Sequence, residues 1–160
     1  MGYFTKLSIA KRSKIMGLDM YLRGDKFISK WDLSQRDEND MPLEVKRPVV
    51  DGFEVSEQVL DLGTWRKFAP LHKFIVNKFA KGEDNCQPID LVAEDLRKIA
   101  KALRKNELPE NDDCHGFFFG GDETWDEYRS ESEDHAKLFD KAADWSESNS
   151  FNTVTYVASW

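Results

Sequence analysis

Trp65, Arg66, Lys67 and His72 form the short run in this chain best equipped to hold an anion that carries an aromatic base. An indole can stack on such a base, a guanidinium fork and an ammonium can take phosphate oxygens, and an imidazole can donate a hydrogen bond. On a regular helix Trp65 and His72 share a face, while Arg66 and Lys67 turn away by about 100° and 200°. The four converge only at a helix entrance, where the two bases can swing back and free backbone amides face outward. The competing reading is an ordinary buried Trp, two solvated bases and a hydrogen-bonded core His. Phe118, in the run Gly116–Gly120, and Tyr128 complete the ligand-binding set, as aromatic walls for the same small anionic ligand.

Other reactive types are present without a pattern that does chemistry. Asp122, Asp126 and Glu127 cluster near His115 and His135, yet no His-x-Glu, His-Glu-x-x-His or Asp-x-Asp ligand spacing occurs. Carboxylates at a helix start usually act as caps. There is no Gly-x-Ser-x-Gly elbow and no Gly-rich phosphate loop. Cys114 and His115 are adjacent in sequence, whereas a nucleophile and its base normally meet through the fold. The sequence therefore names no catalytic residue, no metal ligand and no cofactor.

The elements that must position these residues read as follows. Leu18, Met20 and Leu22 alternate with Asp19 and Tyr21 as in a half-buried strand. Arg23-Gly24-Asp25 reads as a turn, with an extended stretch to Trp31 and a polar loop over 32–42. Residues 43–55, with Asp51-Gly52 between them, resemble a hairpin whose first arm Pro48 confines to an edge. Trp65, Phe68, His72, Ile75 and Phe79 follow helical steps, and Pro70 either kinks that helix or marks its start one turn later. Gly82 closes it. A second helix enters through Asp90 as N-cap, with Leu96, Ile99 and Leu103 as its stripe and its basic residues crowded towards the C-terminal turns, where they suit the helix dipole. Phe117–Phe119 read as a short central strand, and Thr124 with Glu127 as a capping box for a third helix. That helix carries Trp125, Tyr128, His135, Leu138, Phe139, Ala142 and Trp145, and a last strand runs from Phe151 to Trp160. The expected fold is α+β: one domain over 16–160, a mixed β-sheet with about three helices packed on it. Residues 1–15, with Lys6, Lys11, Arg12 and Lys14 and no acid, read as a basic extension: an arm for an acidic partner, or a dispensable tail.

Composition narrows the classes. With 160 residues, 5 Trp and 11 Phe, the chain is long and apolar enough for a core, unlike a disordered one. A net charge of −7 opposes general nucleic-acid binding, which depends on neutralising phosphates. No apolar run approaches the length of a membrane span. Two distant cysteines, Cys86 and Cys114, suit reduced thiols in a cytoplasm.

Several landmarks occur in one order: "MGLDMYL" at Met16, "WRK" at Trp65 with His72 after it, "EDNC" at Glu83, "LP" at Leu108, "GFFFG" at Gly116, "WDEY" at Trp125, and a final "SW". This order resembles a family of small bacteriophage and prophage proteins that begin Met-Gly-Leu-Asp-Met-Tyr-Leu and end Tyr-x-Ser-Ser-Trp or similar. The resemblance spans Met16 to Trp160. It departs at residues 1–15, which precede the usual start, and at Ala69-Pro70, where the family helix usually has no proline. It implies a phage accessory protein in the host cytoplasm, often a counter-defence role, and no particular chemistry. The leading expectation is a non-enzymatic binder of a small anionic, nucleotide-like ligand. The alternatives are an inhibitor that presents the acidic stretch Glu107–Asp134 to a host protein, and a small nucleotide-cleaving enzyme using His72 or the Asp122–Glu127 carboxylates.

Overall fold

The computed structural model describes residues 17–110 and 120–160. A four-stranded sheet, in the spatial order Glu57–Arg66, Asp19–Phe27, Asn152–Ser159 and Ile89–Leu91, is covered by helices, giving an α+β domain. All three ladders of this sheet are antiparallel. β1 (Asp19–Phe27) and β8 (Asn152–Ser159) are its centre, and β8 alternates as its sequence requires. Asn152, Val154, Tyr156 and Ala158 are buried on one side, with Thr153 and Ser159 exposed on the other. Met20, Leu22, Val154 and Tyr156 share one core with Leu71, Ile75, Leu96, Ile99, Leu103 and Phe139 from the helices. The helices thus occupy one face of the sheet.

Arg23-Gly24-Asp25 is not a turn. β1 continues through it, and a bulge between Leu22 and Arg23 leaves Leu62 without a partner residue across the ladder. Glycine is needed at 24 because a Cβ there would lie 2.8 Å from two ring carbons of Trp145.

The chain between β1 and β6 (Glu57–Arg66) forms an excursion of two hairpins where a polar loop and one hairpin were expected. β2 (Trp31–Arg36) pairs with β3 (Pro42–Glu44), and β4 (Val49–Val50) pairs with β5 (Phe53–Glu54). The first turn is held by Asp37, whose carboxylate accepts from the Asn39 and Met41 amides at 2.8 and 2.9 Å. At the second, Asp51 (φ 50°) and Gly52 (φ 84°) adopt the two left-handed conformations of a type I′ turn.

β6 runs through Trp65 to Arg66 and the helix begins at Ala69 (α1, Ala69–Phe79), so of the two expectations for Pro70 the helix start one turn later holds and the kink does not. Pro70 sits in the first turn, where its missing N–H leaves no helical bond unmade. Lys67, at φ 56°, makes the corner between strand and helix. Asp90 caps nothing: Ile89–Leu91 is an edge strand, β7, with both apolar residues buried. α2 (Ala93–Arg104) starts after it, where the Asp95 carboxylate accepts from the Val92 amide. The expected third helix is two helices, α3 (Asp122–Ser130) and α4 (Ser132–Glu147), broken at Glu131. Ser130 and Ser132 donate to the carbonyls of Glu127 and Arg129, a local alternative to continued helix. The Thr124–Glu127 capping box does not form, since Gly121 is the N-cap residue. Arg97 and Arg104, seven residues apart on α2, clamp α4 through Asp144 and Glu147, and through Glu133 and Asp140. That spatial pairing, beyond the helix dipole, is what these two bases do. The Phe117–Phe119 strand lies outside the described residues.

Candidate functional site

The predicted site divides into an interior part and an exposed one. Trp65 is 3% exposed, stacks on Phe139 at a centroid distance of 5.3 Å, and donates its indole N–H to His135 Nδ1 at 3.2 Å. Around it Tyr128 accepts from the Arg66 amide at 3.2 Å and donates to the Arg66 carbonyl at 2.8 Å. Phe68 stacks on Tyr128 at 4.2 Å, and the Trp125 indole donates to the Lys67 carbonyl. These aromatics brace the β6–α1 corner from α3 and α4. Because an indole only donates, His135 Nδ1 must accept, and the ring proton sits on Nε2, 3.6 Å from Glu131. Burial holds this imidazole below its ordinary pKa, against the pull of Glu131 and Asp134.

His72 faces elsewhere. It is 1% exposed, with Nδ1 at 2.8 Å from the Tyr156 hydroxyl and Nε2 at 3.0 Å from Asp84. The Asp84 carboxylate can only accept, so Nε2 carries the proton and Nδ1 accepts from Tyr156. The other Asp84 oxygen takes the indole N–H of Trp160 at 3.3 Å. Burial lowers the pKa of His72, opposed by Asp84, and pushes the Tyr156 phenol well up. This Tyr–His–Asp–Trp chain ties α1 and its following loop to the end of β8. Both ring nitrogens are engaged within the protein, which leaves neither for a ligand or an acid–base step.

The structure therefore brings together Trp65, Arg66, Lys67 and Tyr128 but turns His72 away, and Phe118 lies outside the described residues. Of the set, Arg66 presents its side chain outward, 3.6 Å from Asp19. The first turn of α1, Ala69 to His72, is buried, so its amides do not face solvent. An anion at Arg66 would meet no open indole face. The acidic stretch is also partly engaged: Arg129 bridges Glu110 and Asp126, and Glu133 belongs to the Arg104 clamp. Among the described residues no group of His, Cys, Asp and Glu has the geometry of a metal site, and Cys86 is an exposed free thiol. No described helix is long and apolar enough to cross a membrane.

The feature that sequence reasoning missed is the excursion. Ten of the thirteen exposed large apolar side chains among the described residues fall between Phe27 and Val59, so the exposure is local and not scattered. Trp31 is 51% and Phe53 76% exposed, with Leu33, Leu43, Val45, Val49 and Val50 beside them in sequence. Within the excursion, backbone bonds from Ile28 to Ser56 and from Val45 to Lys30, with Arg47 Nε donating to the Ile28 carbonyl at 2.6 Å, close its base and join its two hairpins. A groove of about 560 Å³ runs between Trp31, Leu33 and the Ser148–Phe151 turn, and a second of about 450 Å³ lies between Val45, Arg47 and Val49. The alternation of Trp31 and Leu33 with Asp32 and Ser34 was the available signal, masked by the acidic turn that follows.

Comparison with protein-family models, with curated proteins and with solved structures gave no match.

Proposed function

We propose that this protein acts by binding another protein, with the two-hairpin excursion over residues 28–56 as its docking element. The observation that carries the reading is the concentration of exposed apolar side chains there. Soluble chains rarely leave a contiguous apolar surface to water without a partner for it. Aromatic residues flanked by polar ones are also the usual anchors of an interface. The excursion holds seven acids and four bases, so the partner's complementary surface is an apolar strip with a basic rim. The resemblance to phage accessory proteins makes a host protein the natural candidate. The anionic-ligand reading keeps the bases Arg66 and Lys67 but loses Trp65 and His72, which are internal. The nucleotide-cleaving reading loses His72 for the same reason.

The test uses the full chain and a Trp31→Ser/Phe53→Ser variant, whose unfolding midpoint should match wild type because both positions are exposed. A host protein captured by wild type is purified and titrated against both chains. Loss of two aromatic anchors should weaken binding about a hundredfold or more. Equal affinity would remove the excursion from the interface. A parallel incubation with a nucleotide and cyclic-nucleotide panel, read by chromatography with mass detection, separates the ligand readings. Intact ligand released on heating, and lost with Arg66→Ala, would restore the anion site in place of the docking one.

A further inference from the structure

The groove of about 560 Å³ beside the first hairpin is lined by exposed aromatic rings. Phe27, 46% exposed, meets Phe151 edge-on at a centroid distance of 5.5 Å, and Trp31 and Leu33 line the hairpin side. Lys26 and Asp32 are the only charged residues in the lining. Three side-chain donors of this lining, Trp31 Nε1, Asn149 Nδ2 and Ser150 Oγ, have no acceptor among the described residues. Such a surface suits a ligand with compact apolar groups and free carbonyl oxygens.

Three peptide conformations can dock in a groove, and the hydrogen bonds separate them. An added strand needs open backbone groups on β2. The Val45 amide donates to the Lys30 carbonyl, so by alternation the peptide groups of Asp32 also face β3, while those of Trp31 and Leu33 face away. The Trp31 amide is already spent on Ser29 Oγ at 2.9 Å, which leaves an added strand the Leu33 amide alone. A helix has spent its carbonyls on its own amides and offers the three side-chain donors almost nothing. A polyproline helix makes no internal hydrogen bonds, so all its carbonyls are open, and its rings pack on aromatic faces. Charge adds a second requirement. Beyond the groove β2 leads into residues 36–40, which hold three acids and one base, with Glu38 and Asp40 exposed. Asp37 lies about 13 Å along the chain from Leu33, a span that a polyproline segment covers in about four residues.

We infer that the groove takes a proline-rich segment of the partner, with basic residues about four positions to one side of the part lying on Leu33. The inference rests on the docking reading above and names the partner's chemistry.

A labelled peptide of six prolines between two pairs of arginines, titrated against the full chain by fluorescence anisotropy, tests it. Two comparators keep the arginines and replace the prolines by alternating Val and Thr, or by Ala. The proline peptide should bind at least tenfold more tightly than either; equal or weaker binding overturns the inference. Trp31→Ser should abolish that preference, and an unchanged affinity would place the peptide elsewhere and overturn it too. Trp31→Phe keeps an aromatic face without the indole donor and should weaken binding about threefold to tenfold; equal affinity refutes the role given to that donor. Glu38→Gln/Asp40→Asn should weaken binding and flatten its salt dependence, whereas an unaltered salt dependence refutes the basic flank. The captured host protein separates the two levels. If it loses affinity with Trp31→Ser/Phe53→Ser while the proline peptide fails to bind, the docking reading stands and this inference falls; if it keeps its affinity, the docking reading falls as well.

Discussion

Acid should destabilise this protein well above the range in which its carboxylates titrate, because two imidazoles are held neutral inside it. His72 sits between Tyr156 and Asp84, with Lys73 adding a small downward pull, and His135 accepts the Trp65 indole N–H with Glu131 and Asp134 nearby. In both cases burial is the largest cause and lowers the folded pKa below the ordinary value near 6.5. Below about pH 6.5 the unfolded chain therefore binds more protons than the folded one, and the stability present above that pH is lost as pH falls towards the folded values. If each ring stays neutral in the folded state, each loses about 1.4 kcal/mol between about pH 7.5 and about 5.5, so the two together lose at most about 2.7 kcal/mol. Glu94, Glu133 and Glu147, whose pKa values their basic partners lower, lose their contribution only below about pH 4.5, so the two windows separate. Urea unfolding at a series of pH values measures the loss, and His72→Gln, which keeps hydrogen-bonding capacity without titrating there, should halve it. His135 should respond the more visibly, since a proton on Nδ1 would point at the indole N–H of Trp65 and shift its fluorescence. Stability that is flat or rises from pH 7.5 to 5.5 would refute the assignment of both rings as buried neutral bases.

Gly24→Ala should destabilise by about 1–3 kcal/mol through overpacking, because the new methyl would meet the Trp145 ring at 2.8 Å; thermal unfolding with Trp fluorescence reads it. Tyr156→Phe should cost about 1–3 kcal/mol by leaving His72 Nδ1 without its donor, measured by urea unfolding at pH 7.5.

Much of the architecture was legible because its pattern is local. The alternation of Met20 and Leu22, the stripe of Leu96, Ile99 and Leu103, and the Asp51-Gly52 turn each state their geometry within a few residues, and the described core contains those apolar residues. What the sequence by itself determined was which residues had to be buried, since period and polarity follow from backbone geometry. Where an element began was decided by tertiary packing. Trp65 fits a helical period and Asp90 a cap, yet the first completes an edge strand against β1 and the second lies in a strand paired with β8. Long-range hydrogen bonds outweighed local preference at both places. The same holds for the predicted site. Trp65 and His72 are seven residues apart and suited to one ligand, but His135, 70 residues from Trp65, and Tyr156, 84 residues from His72, claim their polar atoms. A side chain's chemistry is written in its type; whether that chemistry faces water depends on partners brought from elsewhere in the chain, and only the folded arrangement supplies them.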